Sequence, residues 1–168
     1  MSQRMFVIDT SYLLELFKVG KDWDEDAHTK IKEKFSEEQQ AGSQFYFPIP
    51  VLFEFANHIA DAKNRSTVIK NFNGLIEQCL DDELPFFITP CSNADSVSDF
   101  IKDLCRVINR FSDEFVQQQL GLTDVSIITE CEHLKKQYKV SNCKIHIWTR
   151  HQALKAREQD SELNAFVL

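Results

Sequence analysis

The sequence predicts an α/β domain built on a mostly parallel sheet. Three observations carry that expectation. Short apolar segments alternate with longer helical ones along the chain, the pattern of strand–helix–strand units. The first apolar segment, "MFVI" at 5–8, has no polar face, as befits a strand covered by helices on both sides. The chain has 168 residues with no repeat, linker or low-complexity stretch, which fits one domain, residues 1–168, around one core.

The elements follow in order. After the strand at 5–8 a helix runs over 10–19 and ends near Gly20. A charged helix occupies 23–41 and stops near Gly42. "FYFPIP" (45–50) is extended, because its two prolines exclude helix through it, and Pro50 then suits the first turn of a helix reaching 62. A further helix spans 64–80, and "PFFIT" (85–89) is a strand. Asn93 or Asp95 caps a helix that runs to 110. "GLTDVSIITECEHLKKQY" (121–138) is helical, with Thr123 or Asp124 at its start. "KIHIW" (144–148) alternates polar and apolar residues, so it is a strand. A short helix over 151–158 follows, and the closing "AFVL" forms a last strand.

Composition narrows the classes of function. Fourteen phenylalanines and only four prolines and four glycines describe a well-packed globular chain. No apolar run is long enough for a membrane span, and the N-terminus lacks the zones of a signal peptide, so a cytoplasmic location is expected. The five cysteines (79, 91, 105, 131, 143) include no CxxC and no zinc spacing with the histidines, so they are expected to be free and mostly buried. The net charge of −7 argues against nucleic-acid binding. Its distribution argues the other way. Residues 133–157 hold seven bases (Lys135, Lys136, Lys139, Lys144, Arg150, Lys155, Arg157) and no acid. That segment is either a solvated face or a surface that meets phosphate.

Three carboxylates draw attention. In open parallel sheets ligands sit at the carboxyl ends of the strands, and Asp9 ends the first strand. It also stands where a helix cap belongs, so capping alone is an alternative. Glu54 lies between Phe53 and Phe55 with Val51, Leu52, Ala56 and Ile59 around it, a setting in which a carboxylate needs a partner or a metal. His58, one turn on, or a solvated stripe with Asp61 would also account for it. Asp124 opens the helix in "LTDVSII", where a carboxylate is favoured by the helix terminus alone. Converging on one pocket, the three would make an all-oxygen site of the kind that holds Mg²⁺ or Mn²⁺.

The set "FVIDTSYLLELF", "PIPVLFEFANHI", "GLTDVSIITECEHL" and "KIHIWTRHQAL" resembles the PIN-domain nucleases. It is most similar to the small single-domain (VapC-like) toxin ribonucleases of bacterial toxin–antitoxin pairs, in motif order, spacing and length. The resemblance implies a three-layer α/β/α sandwich with a central parallel sheet. It implies Mg²⁺- or Mn²⁺-dependent hydrolysis of RNA phosphodiester bonds by water activated at the metal, leaving a 5′-phosphate and a 3′-hydroxyl. Asp9, Glu54 and Asp124 then correspond to the catalytic metal-site acids, with Thr10 or Ser11 as a nearby polar contact. The family places a further acid just after the last strand; here Thr149-Arg150-His151 puts His151 at that fourth position. A neutral imidazole there suits Mn²⁺ better than Mg²⁺. Lys144, Thr149 and Arg150 become candidate substrate contacts. The partners implied are RNA, an antitoxin protein and a second copy of the chain, the last through exposed Phe or Leu on the helices at 64–116. A PIN domain that binds RNA or a protein partner without cutting is the alternative, as is a nuclease of another role without an antitoxin.

Overall fold

The computed structural model describes residues 3–20, 23–80, 85–89, 97–118, 120–139 and 142–162. Its sheet contains β1 (Gln3–Ile8), β2 (Gln44–Pro48), β3 (Phe86–Thr89) and β4 (Cys143–Trp148) in the order β3-β2-β1-β4, every pair parallel. Around it lie seven α-helices among the described residues: α1 (Thr10–Leu16), α2 (Glu25–Gln40), α3 (Ile49–Ala60), α4 (Arg65–Cys79), α5 (Val97–Arg110), α6 (Leu122–Gln137) and α7 (Gln152–Lys155). The result is the expected three-layer α/β/α sandwich.

Register and the two-residue strand period decide what each face carries. Phe6 pairs with Phe45 and with His146, and Phe45 pairs with Phe86, so one row of rings crosses the whole sheet with centroids 5.4–5.6 Å apart. Phe35 of α2 stacks on Phe86 at 5.8 Å, and Tyr12 of α1 lies 4.7 Å from Trp148, so α1 and α2 cover this aromatic face. Met5, Val7, Ile145 and Ile147 point the other way and are fully buried, on the face where α6 packs across β4, β1 and β2.

β4 is an edge strand, and the chain that follows it closes that edge. Ile145 N donates to the Asp160 carboxylate at 2.8 Å, and Asp160 N donates back to Ile145 O at 3.1 Å. Ile147 N donates to Glu158 at 3.2 Å, and Lys155 Nζ donates to Ile147 O at 2.9 Å. Side chains thus take the ladder positions that another strand would otherwise occupy.

Several boundaries differ from expectation. α1 stops at Leu16, because Lys18 enters the left-handed region at φ 55 and Gly20 follows at φ 98. α6 is capped by Gly121, not by Thr123 or Asp124; Asp124 sits in the first turn and accepts from Gly121 N at 2.7 Å. Asn93, Asp95, Cys91 and the closing "AFVL" lie outside the described residues. Cys131 is buried and Cys79 and Cys143 are half-buried, but Cys105 is exposed, because its side of α5 faces away from α6. Among the described residues no helix is long and apolar enough to cross a membrane.

Candidate active site

The strand order creates a crevice. From β1 the chain moves outward to β2 and β3, then α5 and α6 carry it back to β4 on the other side of β1. The loops leaving β1 and β4 therefore diverge, and ligands of open α/β sheets bind at such a switch point. Asp9 leaves β1 there, and Thr149, Arg150 and His151 leave β4 there.

Asp9 is 7% exposed and caps α1. Its Oδ2 accepts from Thr149 Oγ1 at 2.8 Å, from Ser11 N at 3.3 Å and from the Ser11 hydroxyl. Both hydroxyls are aimed by backbone donors behind them. Arg150 N donates to Ser11 Oγ and His151 N to Thr149 Oγ1, each at 2.9 Å. A hydroxyl that accepts from an amide is left to give its own proton to the carboxylate. The cap and the site are therefore one arrangement, and capping does not exclude a second role.

Glu54 reaches the same end of the sheet from the first half of α3, where its Oε2 accepts from Thr10 Oγ1 at 3.0 Å. It is half-buried rather than embedded among phenylalanines. Neighbours on a helix are about 100° apart, so Phe55 turns into the core while Phe53 is 69% exposed. Asp124 presents Oδ1 to His151 Nδ1 at 3.7 Å, so the two ion-pair when His151 is protonated. Burial raises the Asp9 carboxyl above its ordinary value, the Ser11 and Thr149 hydroxyls pull it down, and the negative charge of Asp124 pushes it up further. Asp9 and Asp124 thus sit in each other's field.

One acid here is handled differently, and sequence reasoning missed it. Glu15 of α1 is 1% exposed, and Arg150 donates to its Oε2 at 2.9 Å while Asp24 N donates to Oε1 at 2.8 Å. Arg150 is therefore a strut that ties the β4–α7 turn to α1 and to the start of α2. An acid inside "LLELF" carries the same signal that singled out Glu54.

Lys144 is not part of this arrangement. Its register partner is Arg4, at the amino end of β1, and five residues of strand place it roughly 16 Å from Thr149. Proximity in sequence misleads here because a strand is extended. Within the acid-free run 133–157, three of the seven bases are engaged by acids from elsewhere in the chain. Lys135 pairs with Asp160 and Lys155 with Glu158, both at 2.7 Å, and Arg150 with Glu15.

Among the described residues no three His, Cys, Asp or Glu side chains stand already gathered as a metal-ligand group. The chemistry of the donor set nevertheless fits a hard divalent cation. Asp9 and Asp124 repel each other in a mostly buried setting, and among the described residues no lysine or arginine is ion-paired with Asp9, Glu54 or Asp124. Oxygen donors of this kind suit Mg²⁺ or Mn²⁺. In comparisons with known proteins, no family model and no curated sequence matches this chain.

Proposed function

We propose that the chain is a Mg²⁺- or Mn²⁺-dependent endoribonuclease that hydrolyses RNA phosphodiester bonds, of the kind its motifs resemble. One observation carries this: Asp9 and Asp124 share a field at the switch-point crevice with no lysine or arginine paired to either. Asp9, Glu54 and Asp124 would hold the metal, which when bound supplies Lewis-acid polarisation of the phosphate and activation of water. The chain's own groups do the positioning. Ser11 and Thr149 fix the Asp9 carboxylate through Oδ2, and among the described residues none of the hydrogen bonds it accepts falls on Oδ1. Thr10 fixes Glu54, and Gly121 N fixes Asp124. His151 Nδ1 lies 3.7 Å from Asp124 Oδ1.

The same contact favours a second reading. A protonated His151 supplies Asp124 with a positive charge from within the chain, as a PIN domain that binds RNA or a protein partner without cutting would allow. We also propose a cytoplasmic location, supported by free thiols at Cys79, Cys105, Cys131 and Cys143. A toxin role with an antitoxin and a homodimer are part of the proposal. Exposed Ile69, Leu80, Ile101, Leu104, Ile108 and Val116 offer apolar surface for the dimer.

The test is incubation of the protein with labelled single-stranded RNAs in Mg²⁺, Mn²⁺ or EDTA, beside Asp9→Asn and His151→Asp. Metal-dependent cleavage that disappears in Asp9→Asn is the expected result. Its absence across varied RNAs would overturn the enzyme reading. Cleavage that appears only in His151→Asp would favour the non-cutting form.

A further inference from the structure

We infer that a cavity at the far ends of α1 and α3, where α4 begins, binds a nucleotide of the RNA strand, with its base against Trp23 and its phosphate on Lys18 and Lys63. The inference rests on the proposal that the crevice takes RNA, and it adds the place where the strand is gripped beside the metal-site acids.

The cavity holds about 610 Å³, room for one nucleotide unit. Lys18, Trp23, His58, Asp61, Lys63 and Asn64 make up most of its lining. α3 connects it to the crevice. Glu54, His58 and Asp61 follow one another at helical spacings of four and three, so they share one face of that helix. His58 and Asp61 lie roughly 6 and 10 Å along its axis from Glu54. α1 runs beside α3 over the same length. At its start Thr10 Oγ1 donates to Glu54 Oε2 at 3.0 Å, and near its end Phe17 and Phe55 pack with ring centroids 5.3 Å apart. Just beyond, Asn64 Nδ2 donates to Lys18 O at 3.5 Å. A strand lying in the crevice therefore has a continuous path along this face into the cavity.

The lining has the chemistry that grips a single strand, an aromatic face for a base and cations for its phosphate. Trp23 is half-buried, with Lys18 Nζ 4.8 Å from its ring centroid and His28 edge-on at 6.4 Å, so the indole is held in place. Lys18 is the one non-glycine residue with a positive φ, 55, among the described residues. Its ammonium donates to Glu25 at 2.9 Å, but that carboxylate is mostly exposed, so water screens the pair and a phosphate competes for the ammonium. Lys63 and His58 are exposed, and among the described residues their side chains have no ion pair or hydrogen bond. Two lysines thus stand against one aspartate in the wall. Asp61 is an acceptor for an amino group at the edge of a base, the kind of contact by which unpaired bases are read. A free nucleotide shares this chemistry; the path from Glu54 is what favours a strand.

Trp23 also supplies the probe. The chain has two tryptophans, and Trp148 is 2% exposed, so quenching by a stacked base reports on Trp23. The test is titration of the whole chain in EDTA with single-stranded RNA of mixed sequence and, separately, with AMP, read by tryptophan fluorescence. Anisotropy of an end-labelled copy of the RNA gives the affinity of the wild type, Trp23→Ala and Lys63→Glu. Expected is quenching by RNA, with RNA binding about tenfold weaker in each variant and less dependent on salt in Lys63→Glu. AMP should quench only at far higher concentration than RNA. Lys63 is exposed, so Lys63→Glu keeps the test alive if Trp23→Ala does not fold. RNA that binds without quenching, or with an affinity unchanged in the variants, would overturn the inference. Quenching by AMP at the same or lower concentration than RNA would overturn the strand as occupant. The two proposals fail separately. Metal-dependent cleavage with binding indifferent to both variants sinks this site alone, and RNA held through Trp23 but never cut sinks the nuclease alone.

Discussion

Two sets of acids flank the sheet, and they are held in opposite ways. At the carboxyl ends, Asp9 accepts from hydroxyls and an amide while facing the like charge of Asp124, and its carboxyl is raised. At the amino end of β1 and along the edge of β4, Glu38, Glu158 and Asp160 are lowered. Burial would raise all three, but it is outweighed at Glu38 by Lys34, Ser43 and Arg4, at Glu158 by His146 and Lys155, and at Asp160 by Lys135 and Ile145 N. The chain therefore has the means to pair a carboxylate, and uses them at Glu38, Glu158 and Asp160. At the switch point, among the described residues, Asp9, Glu54 and Asp124 have no lysine or arginine paired to them. Even there the contrast holds at short range, since Glu15 takes Arg150 and Asp9 does not.

The comparison is most exposed to Asp9→Asn. It should lower metal-dependent RNA cleavage at least about 100-fold, yet leave stability in EDTA unchanged or raised by up to about 1 kcal/mol, because a buried repulsion is removed. Urea unfolding that shows a loss of stability would break the contrast between the two ends. Glu38→Gln should do the reverse, costing about 1 kcal/mol by removing the charge that Lys34 and Arg4 share, although Arg4 keeps Glu162, with no effect on cleavage chemistry. Acidification should separate the two sets in one titration. Groups with lowered folded values stabilise above the ordinary carboxylate pKa of about 4 and lose that contribution as pH falls through the lowered values. Asp9, raised, works the other way, losing stability as pH rises from about 4 through its folded value. The urea midpoint should thus rise as neutral solution is acidified toward about pH 4 and collapse below it, and Asp9→Asn should flatten the first part. The smallest effect is expected of His151→Ala, whose half-exposed contact with Asp124 should change stability by no more than about 0.5 kcal/mol at neutral pH.

What the sequence made legible was local. The two prolines of "FYFPIP" set the end of β2 and the start of α3, and Gly42 marked the end of α2, because each fixes a backbone angle where it stands. Asp9 was legible for the same reason, at a strand end before a helix. Glu54 was found by a faulty route: the flanking phenylalanines looked like a shell, but helix rotation sends Phe53 outward, and what holds Glu54 is Thr10. Lys144 was misplaced and the Arg150–Glu15 strut unseen, because both depend on register and on pairs 135 residues apart in sequence. Asp103 and Glu130 gave no signal, since each looks like an ordinary helical acid until helix packing buries it.

The hydrogen bond from Thr149 to Asp9 joins residues 140 positions apart, and the strand carrying Thr149 docks beside the first strand of the chain. Contacts of such sequence separation form late and slowly. On a ribosome adding roughly 5–20 residues per second, Asp9 is made roughly 7 to 28 seconds before Thr149. Through that interval the carboxylate has neither its threonine nor the backbone amides that aim the two hydroxyls, and Asp124 arrives scarcely earlier. If the proposed RNA cleavage holds, this order of events would delay assembly of the site until the chain is nearly complete.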